Sequence, residues 1–110
     1  MNRCFVADLH VHTVLSPCAA VEMTPRNIVW HAVQNGIDIV AITDHNACDN
    51  VRAALEAAKG TDLTVLPGME VESREEIHVV ALFGKMRELL AWEKVVQSHR
   101  SGRKNDVTRL

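Results

Sequence analysis

Apolar positions along the chain fall into short continuous runs separated by amphipathic stretches, the pattern of strands alternating with helices. Cys4 to Leu9 carries Phe5, Val6, Ala7 and Leu9 almost without interruption, which predicts a strand covered on both faces. A loop follows through Ser16-Pro17-Cys18. Thr24-Pro25 then predicts a helix start, with Thr24 as N-cap and Pro25 at the first helical position, where its missing N–H is not needed. Ile28, Val29, Ala32 and Val33 supply the apolar stripe, and Gly36 ends the helix. Ile37 to Thr43 is rich in β-branched residues and short, which predicts a buried strand stopping at Asp44-His45. A second helix is expected from about Asp49 to Lys59, closed by Gly60. A third strand is expected over Leu63 to Leu66, ended by Pro67-Gly68. Ile77 to Phe83 predicts a fourth strand and Lys85 to Gln97 a third helix, with Leu89, Leu90, Trp92 and Val96 partly defining its inner face.

This order is an α/β alternation, and connections of this length favour parallel strands joined by right-handed crossovers. The domain reading is one motif-dense subdomain over residues 1–84, concentrated in 5–83, followed by a helix and polar tail over 85–110. The 110 residues set one domain as the ceiling, and 47% apolar content excludes disorder as the default state. The net charge of −2 gives no whole-chain attraction for nucleic acid or an acidic membrane, and neither is predicted as a partner. Arg100, Arg103, Lys104 and Arg109 read as a solvated terminus rather than a phosphate patch. No signal peptide or membrane span is readable. The three cysteines, Cys4, Cys18 and Cys48, form no CxxC pair, so the expected compartment is a reducing cytoplasm.

The six histidines change the picture, because four of them, His10, His12, His45 and His78, lie in or beside strand-like segments. His10-Val11-His12 places two imidazoles on one side of an extended chain, where both can grip one metal ion. A lone HxH also occurs as satisfied core or surface histidines. Asp44-His45 adds a third imidazole beside a carboxylate, which either orients a liganding ring or caps the turn after the strand. Glu70 stands between Met69 and Val71, and a carboxylate among apolar neighbours needs a compensating cation. His78 interrupts an apolar strand, either as a ligand or as a core histidine bonded to a carbonyl. Cys18 is either a small buried hydrophobe or a thiolate ligand.

Three consecutive predicted strands deliver such residues at their C-terminal ends, where parallel α/β folds assemble their sites. No serine-nucleophile motif or Gly-rich phosphate loop competes. Mixed imidazole and carboxylate donors suit zinc, manganese or iron, and clustered metals sharing a carboxylate activate a bridging hydroxide for attack on phosphorus.

Asp8-Leu9-His10-Val11-His12-Thr13, Ile42-Thr43-Asp44-His45-Asn46 and Pro67-Gly68-Met69-Glu70 together resemble, in order and spacing, the first three motifs of the polymerase and histidinol phosphatase (PHP) family. The resemblance covers roughly Phe5 to Phe83. It implies the N-terminal part of a distorted (βα)7 TIM-like barrel, here about four mainly parallel strands with helices, carrying up to three divalent metals. It further implies His10 and His12 on one metal, Glu70 shared between two, His78 on the second and His45 on the third. Cys18 stands near a place where relatives use His or Asp. Asp8 and Asp44 become groups that orient the imidazoles. The implied activity is hydrolysis of a small phosphorylated metabolite. A complete family domain adds a further histidine and a final Asp-x-His motif that have no counterpart here. The alternatives are therefore a noncatalytic metal-binding scaffold, a degenerate truncated product, or a barrel completed by self-association or a C-terminal partner.

Overall fold

A computed structural model describes residues 3–15 and 22–99. Cys18 and the basic tail positions from Arg100 onward lie outside the described residues. Seven elements follow in order: β1 (Ala7–Val11), α1 (Pro25–Gln34), β2 (Ile39–Ile42), α2 (Asp49–Ala58), β3 (Thr64–Glu72), β4 (His78–Leu82) and α3 (Met86–Ser98).

The helix punctuation acts as the sequence predicts. The Thr24 side chain accepts from the Asn27 N–H at 3.3 Å, satisfying one of the free amides of the first turn of α1. Gly36 and Gly60 follow α1 and α2 with φ of +69° and +81°, the left-handed conformation in which a Cβ is penalised.

The four strands form one sheet in the order β1-β2-β3-β4. β1 and β2, and β2 and β3, are parallel neighbours, β2 and β3 each reached through a helix, whereas β4 runs antiparallel to β3. The short turn between Glu72 and His78 explains the reversal, since a parallel return needs a crossover of a dozen or more residues. Alternation then sorts β2 and β3. Val40 and Ile42, with Val65, Met69 and Val71, join Ile28, Val29, Ala32, Val51, Ala54, Leu89 and Val96 in the core between sheet and helices. Burial of each Val, Leu, Ile or Met among these stabilises by about 1.5–3 kcal/mol before the cost of ordering the chain.

Two expectations need correction. β3 does not stop at Pro67-Gly68 but runs through to Glu72. Pro67 sits where pairing with β2 ends and pairing with β4 begins, so its missing N–H is tolerated, and its carbonyl accepts from Phe83 N at 2.9 Å. Gly68 is required there, because a Cβ would lie 2.8 Å from Thr43 Cγ2 and 3.0 Å from the Ala81 carbonyl oxygen. The second correction concerns β1. It is not covered on both faces: Phe5, Val6 and Leu9 are exposed, and β1 forms an edge of the described sheet.

Candidate metal centre

Glu70 lies between Met69 and Val71, both buried against the helices, so strand alternation turns its side chain to the opposite face of the sheet. Its backbone is held on both sides of His45. The Glu70 N–H donates to the Asp44 carbonyl at 3.0 Å, and the Asn46 N–H donates to the Glu70 carbonyl at 3.1 Å. The chain leaving β2 is thereby locked to the middle of β3 before a side chain is considered. Asn46 takes φ of +54° to close this turn, a conformation Asn tolerates better than most residues.

The end of β1 comes to the same point through an irregularity. Asp8 pairs with Val40 and Val11 with Ile42, three steps against two, so β1 carries one extra residue. Such a bulge re-aims side chains. His10 Nε2 and His12 Nε2 stand 3.2 Å apart, and both face Glu70 Oε1, His12 at 2.9 Å and His10 in close contact. From the other side, Glu72 pairs with His78 and Glu70 with Val80, which puts His78 on the same face as Glu70 one diagonal step away. His78 Nδ1 lies 2.7 Å from Glu70 Oε2, and His45 Nδ1 3.8 Å from the same oxygen.

Four of the imidazoles singled out in the sequence thus surround one buried carboxylate, in two groups that share it: His10, His12 and Glu70, then His45, Glu70 and His78. His45 falls in the group with His78 and also stands edge-on to His12, with ring centroids 4.6 Å apart.

Asp8 and Asp44 are placed differently. Asp8 is exposed, and its Oδ1 accepts from the His10 backbone N–H at 3.3 Å. Asp44 is fully buried and takes two hydrogen bonds from Thr13, from the backbone N–H at 2.6 Å and from the hydroxyl at 2.5 Å. His99 is exposed at the end of α3.

The electrostatics follow from this crowding. Burial alone would raise the Glu70 carboxyl, but hydrogen bonds from His10, His78 and His12 outweigh it and hold the group at about 2. Burial lowers His45. The Glu70 charge opposes that shift, while His12, His78 and His10 add to it, so the ring stays neutral near pH 7 with a lone pair to offer.

The donor set fits a divalent cation. At ligand distances of about 2.0–2.1 Å, two nitrogens sharing one ion lie about 3.0–3.4 Å apart, and the His10 and His12 nitrogens meet that separation. Hydrogen bonds alone serve the cluster poorly, because two ring nitrogens converge both on each other and on one oxygen. A cation in each group would take up the lone pairs that converge there.

The described sheet is a partial α/β barrel with convergent imidazoles around a shared carboxylate, the architecture of the family to which the comparisons point. The PHP domain family model matches residues 8–102, and the chain belongs to that family. It is 35% identical over 86 residues to the 5′-3′ exoribonuclease Rnm of Salmonella typhimurium, a match covering 74% of this chain and 28% of that protein. A structure from Bifidobacterium adolescentis designated a metal-dependent phosphoesterase is similar with TM-score 0.63 and 28% identity, covering 89% of this chain and 35% of that one. The lesion-specific endonuclease PfuEndoQ of Pyrococcus furiosus shares the fold, with TM-score 0.72 at 20% identity, over 86% of this chain and 26% of its own. The chain therefore spans about a quarter to a third of the length of these three proteins, and its sheet is part of a TIM-like PHP barrel. Among the described residues no helix is long and apolar enough to cross a membrane.

Sequence reading gave no separate role to two residues that the structure places beside this site, nor to a contact of α2 with α3 farther from it. Thr13 is fully buried against Asp44, and Asn50 Nδ2 donates to Thr13 Oγ1 at 3.1 Å. Cys48 Sγ donates to Glu93 Oε2 at 2.9 Å, joining the start of α2 to α3. Thr13 stood inside the first motif and was legible as part of it. Asn50 and Glu93 occupy ordinary polar helix positions and carry no signal of their own.

Proposed function

We propose that His10, His12, His45, Glu70 and His78 hold divalent metal, of the zinc, manganese or iron type, for hydrolysis of a phosphoester. The observation that carries this reading is the pair of donor groups sharing the buried Glu70 carboxylate. Bound cations there would supply an activated water and neutralise charge on the phosphoryl oxygens. The residues of the chain do the rest. Glu70, ionised down to about pH 2, offers one oxygen to each donor group and fixes their spacing. His45, kept neutral by burial, presents a lone pair rather than a repelling charge. His10 and His78, whose side chains are 54% and 55% exposed, open the site to a substrate from solvent.

The likeness to a 5′-3′ exoribonuclease supports a phosphodiester of an oligoribonucleotide as substrate class, ahead of the small phosphorylated metabolite expected from the sequence. The test is turnover by chelator-stripped protein reloaded with Mn²⁺ or Zn²⁺, assayed on a 5′-phosphorylated oligoribonucleotide and on an aryl phosphate. Metal-dependent release from either supports phosphoester hydrolysis, and the faster of the two identifies the substrate class. A second reading, a metal-binding scaffold without turnover, draws on the same half-open donor groups, each with three protein ligands among the described residues. Stoichiometric metal with no rate on either substrate would establish that reading and overturn the first.

A further inference from the structure

Thr13 uses its full hydrogen-bonding capacity in a place with no solvent. Its hydroxyl donates to Asp44 Oδ2 at 2.5 Å and accepts from Asn50 Nδ2 at 3.1 Å and from the Leu15 N–H at 3.2 Å. A hydroxyl has one donor and two acceptor sites, and all three are filled. Its backbone N–H donates to Asp44 Oδ1 at 2.6 Å, and both Thr13 and Asp44 are 0% exposed.

The positions matter as much as the bonds. Thr13 directly follows His12, and Asp44 directly precedes His45. Asn50 lies in the first turn of α2, the helix that the chain enters after His45. The Thr43 N–H and hydroxyl, one residue before Asp44, both donate to the Val11 carbonyl, at 2.8 and 3.3 Å. Two chain ends that carry imidazoles are therefore pinned to each other by a doubly bonded Thr13–Asp44 pair and braced from α2 by Asn50.

We infer that Thr13 is a positioning residue, with Asn50 as its brace, that fixes the His12 imidazole relative to His45 and Glu70 and so sets the affinity of the metal centre. This rests on the metal reading proposed above. Neither residue touches a ligand atom; the effect passes through the backbone on either side. A Ser at position 13 keeps all the hydrogen bonds of the hydroxyl. A Val keeps the shape but leaves the buried Asp44 carboxylate short of a partner, which is costly, and also frees the part-buried Asn50 amide and the Leu15 N–H. Partners of this kind, one step removed from the ligands, typically alter metal affinity about 10–100-fold.

The experiment measures Co²⁺ affinity by chelator competition, together with the visible absorption of the Co²⁺-loaded protein, for wild type, Thr13→Val, Thr13→Ser and Asn50→Ala. Thr13→Val is expected to bind about 10–100-fold more weakly with an altered absorption band, Asn50→Ala to weaken binding by a smaller factor, and Thr13→Ser to stay near wild type in both. Wild-type affinity and spectrum in a folded Thr13→Val overturns the inference. So does a Thr13→Ser loss equal to that of Thr13→Val, which would assign the effect to the methyl group. If Thr13→Val does not fold, Asn50→Ala decides: weaker binding supports the brace, and unchanged binding overturns it. Wild-type protein that takes up no Co²⁺ refutes the metal reading itself, an outcome distinct from any of these.

Discussion

The backbone of Glu70 is bonded to both neighbours of His45, donating to the Asp44 carbonyl and accepting from the Asn46 N–H. The carboxylate therefore stands beside His45 because two chain segments are laced together there, not because the side chains attract each other. Removing the charge should leave the scaffold in place.

That separation gives the first prediction. Glu70→Gln should fold with an unchanged circular dichroism spectrum yet lose metal from both donor groups, since each contains Glu70. His10→Ala should deplete only the group with His12. Elemental analysis after gel filtration measures both. Equal metal loss in the two variants would mean that the carboxylate is not shared.

Acid sensitivity follows from the Glu70 carboxyl, which sits at about 2 instead of its ordinary 4.5 in metal-free protein. The folded state then takes up its proton later than the unfolded chain, so the stabilisation is fully present above about pH 4.5 and is lost as pH falls toward about 2. Thermal midpoints of chelator-stripped protein should drop more steeply across that window in wild type than in Glu70→Gln. Parallel profiles would show that the imidazoles do not hold the charge.

The legibility of this site in the sequence was uneven for physical reasons. The three motifs and His78 were visible because ionisable residues stand out in apolar strands, and a strand has only two faces. The bulge in β1 was not visible: register depends on the partner strand, and no residue in Ala7 to Val11 announces an extra step. Pro67-Gly68 looked like a strand end because both residues are usual turn formers. In the sheet, Gly68 instead answers the close approach of Thr43 and Ala81, contacts that exist only after folding. The Phe5-Val6 run suggested two-sided cover for the same reason, since a sequence shows apolarity but not what lies against it. Thr13 and Asn50 are ordinary polar residues until folding brings them together beside Asp44.

Gly68 yields a prediction of its own. The Cβ of Gly68→Ala would approach Thr43 Cγ2 to 2.8 Å and the backbone oxygen of Ala81 to 3.0 Å, and backbone cannot rotate out of the way. Overpacking of this kind costs about 1–3 kcal/mol. Because Thr43 adjoins Asp44, the strain should also spread β2 from β3 at the metal centre. A lower urea midpoint with weakened metal uptake is expected. An unchanged midpoint would show that the sheet yields at this point.

The last prediction concerns a thiol outside the metal centre. Cys48 is pushed up to about 12, first by burial, then by its hydrogen bond to Glu93 and the charge of that carboxylate. At pH 8 its thiolate amounts to about one part in ten thousand, so alkylation should be very slow. Exposed Cys4 should react well before it, as resolved by mass spectrometry of peptides after timed iodoacetamide treatment. Burial and charge can then be separated with Glu93→Gln, which leaves the side-chain size almost unchanged and removes the negative neighbour. If the charge contributes, Cys48 in that variant alkylates faster at pH 8 while the thermal midpoint changes little. If only shielding by α3 protects the sulfur, its rate stays at the wild-type value, and the Cys48–Glu93 bond acts as a packing contact between α2 and α3 rather than a brake on reactivity.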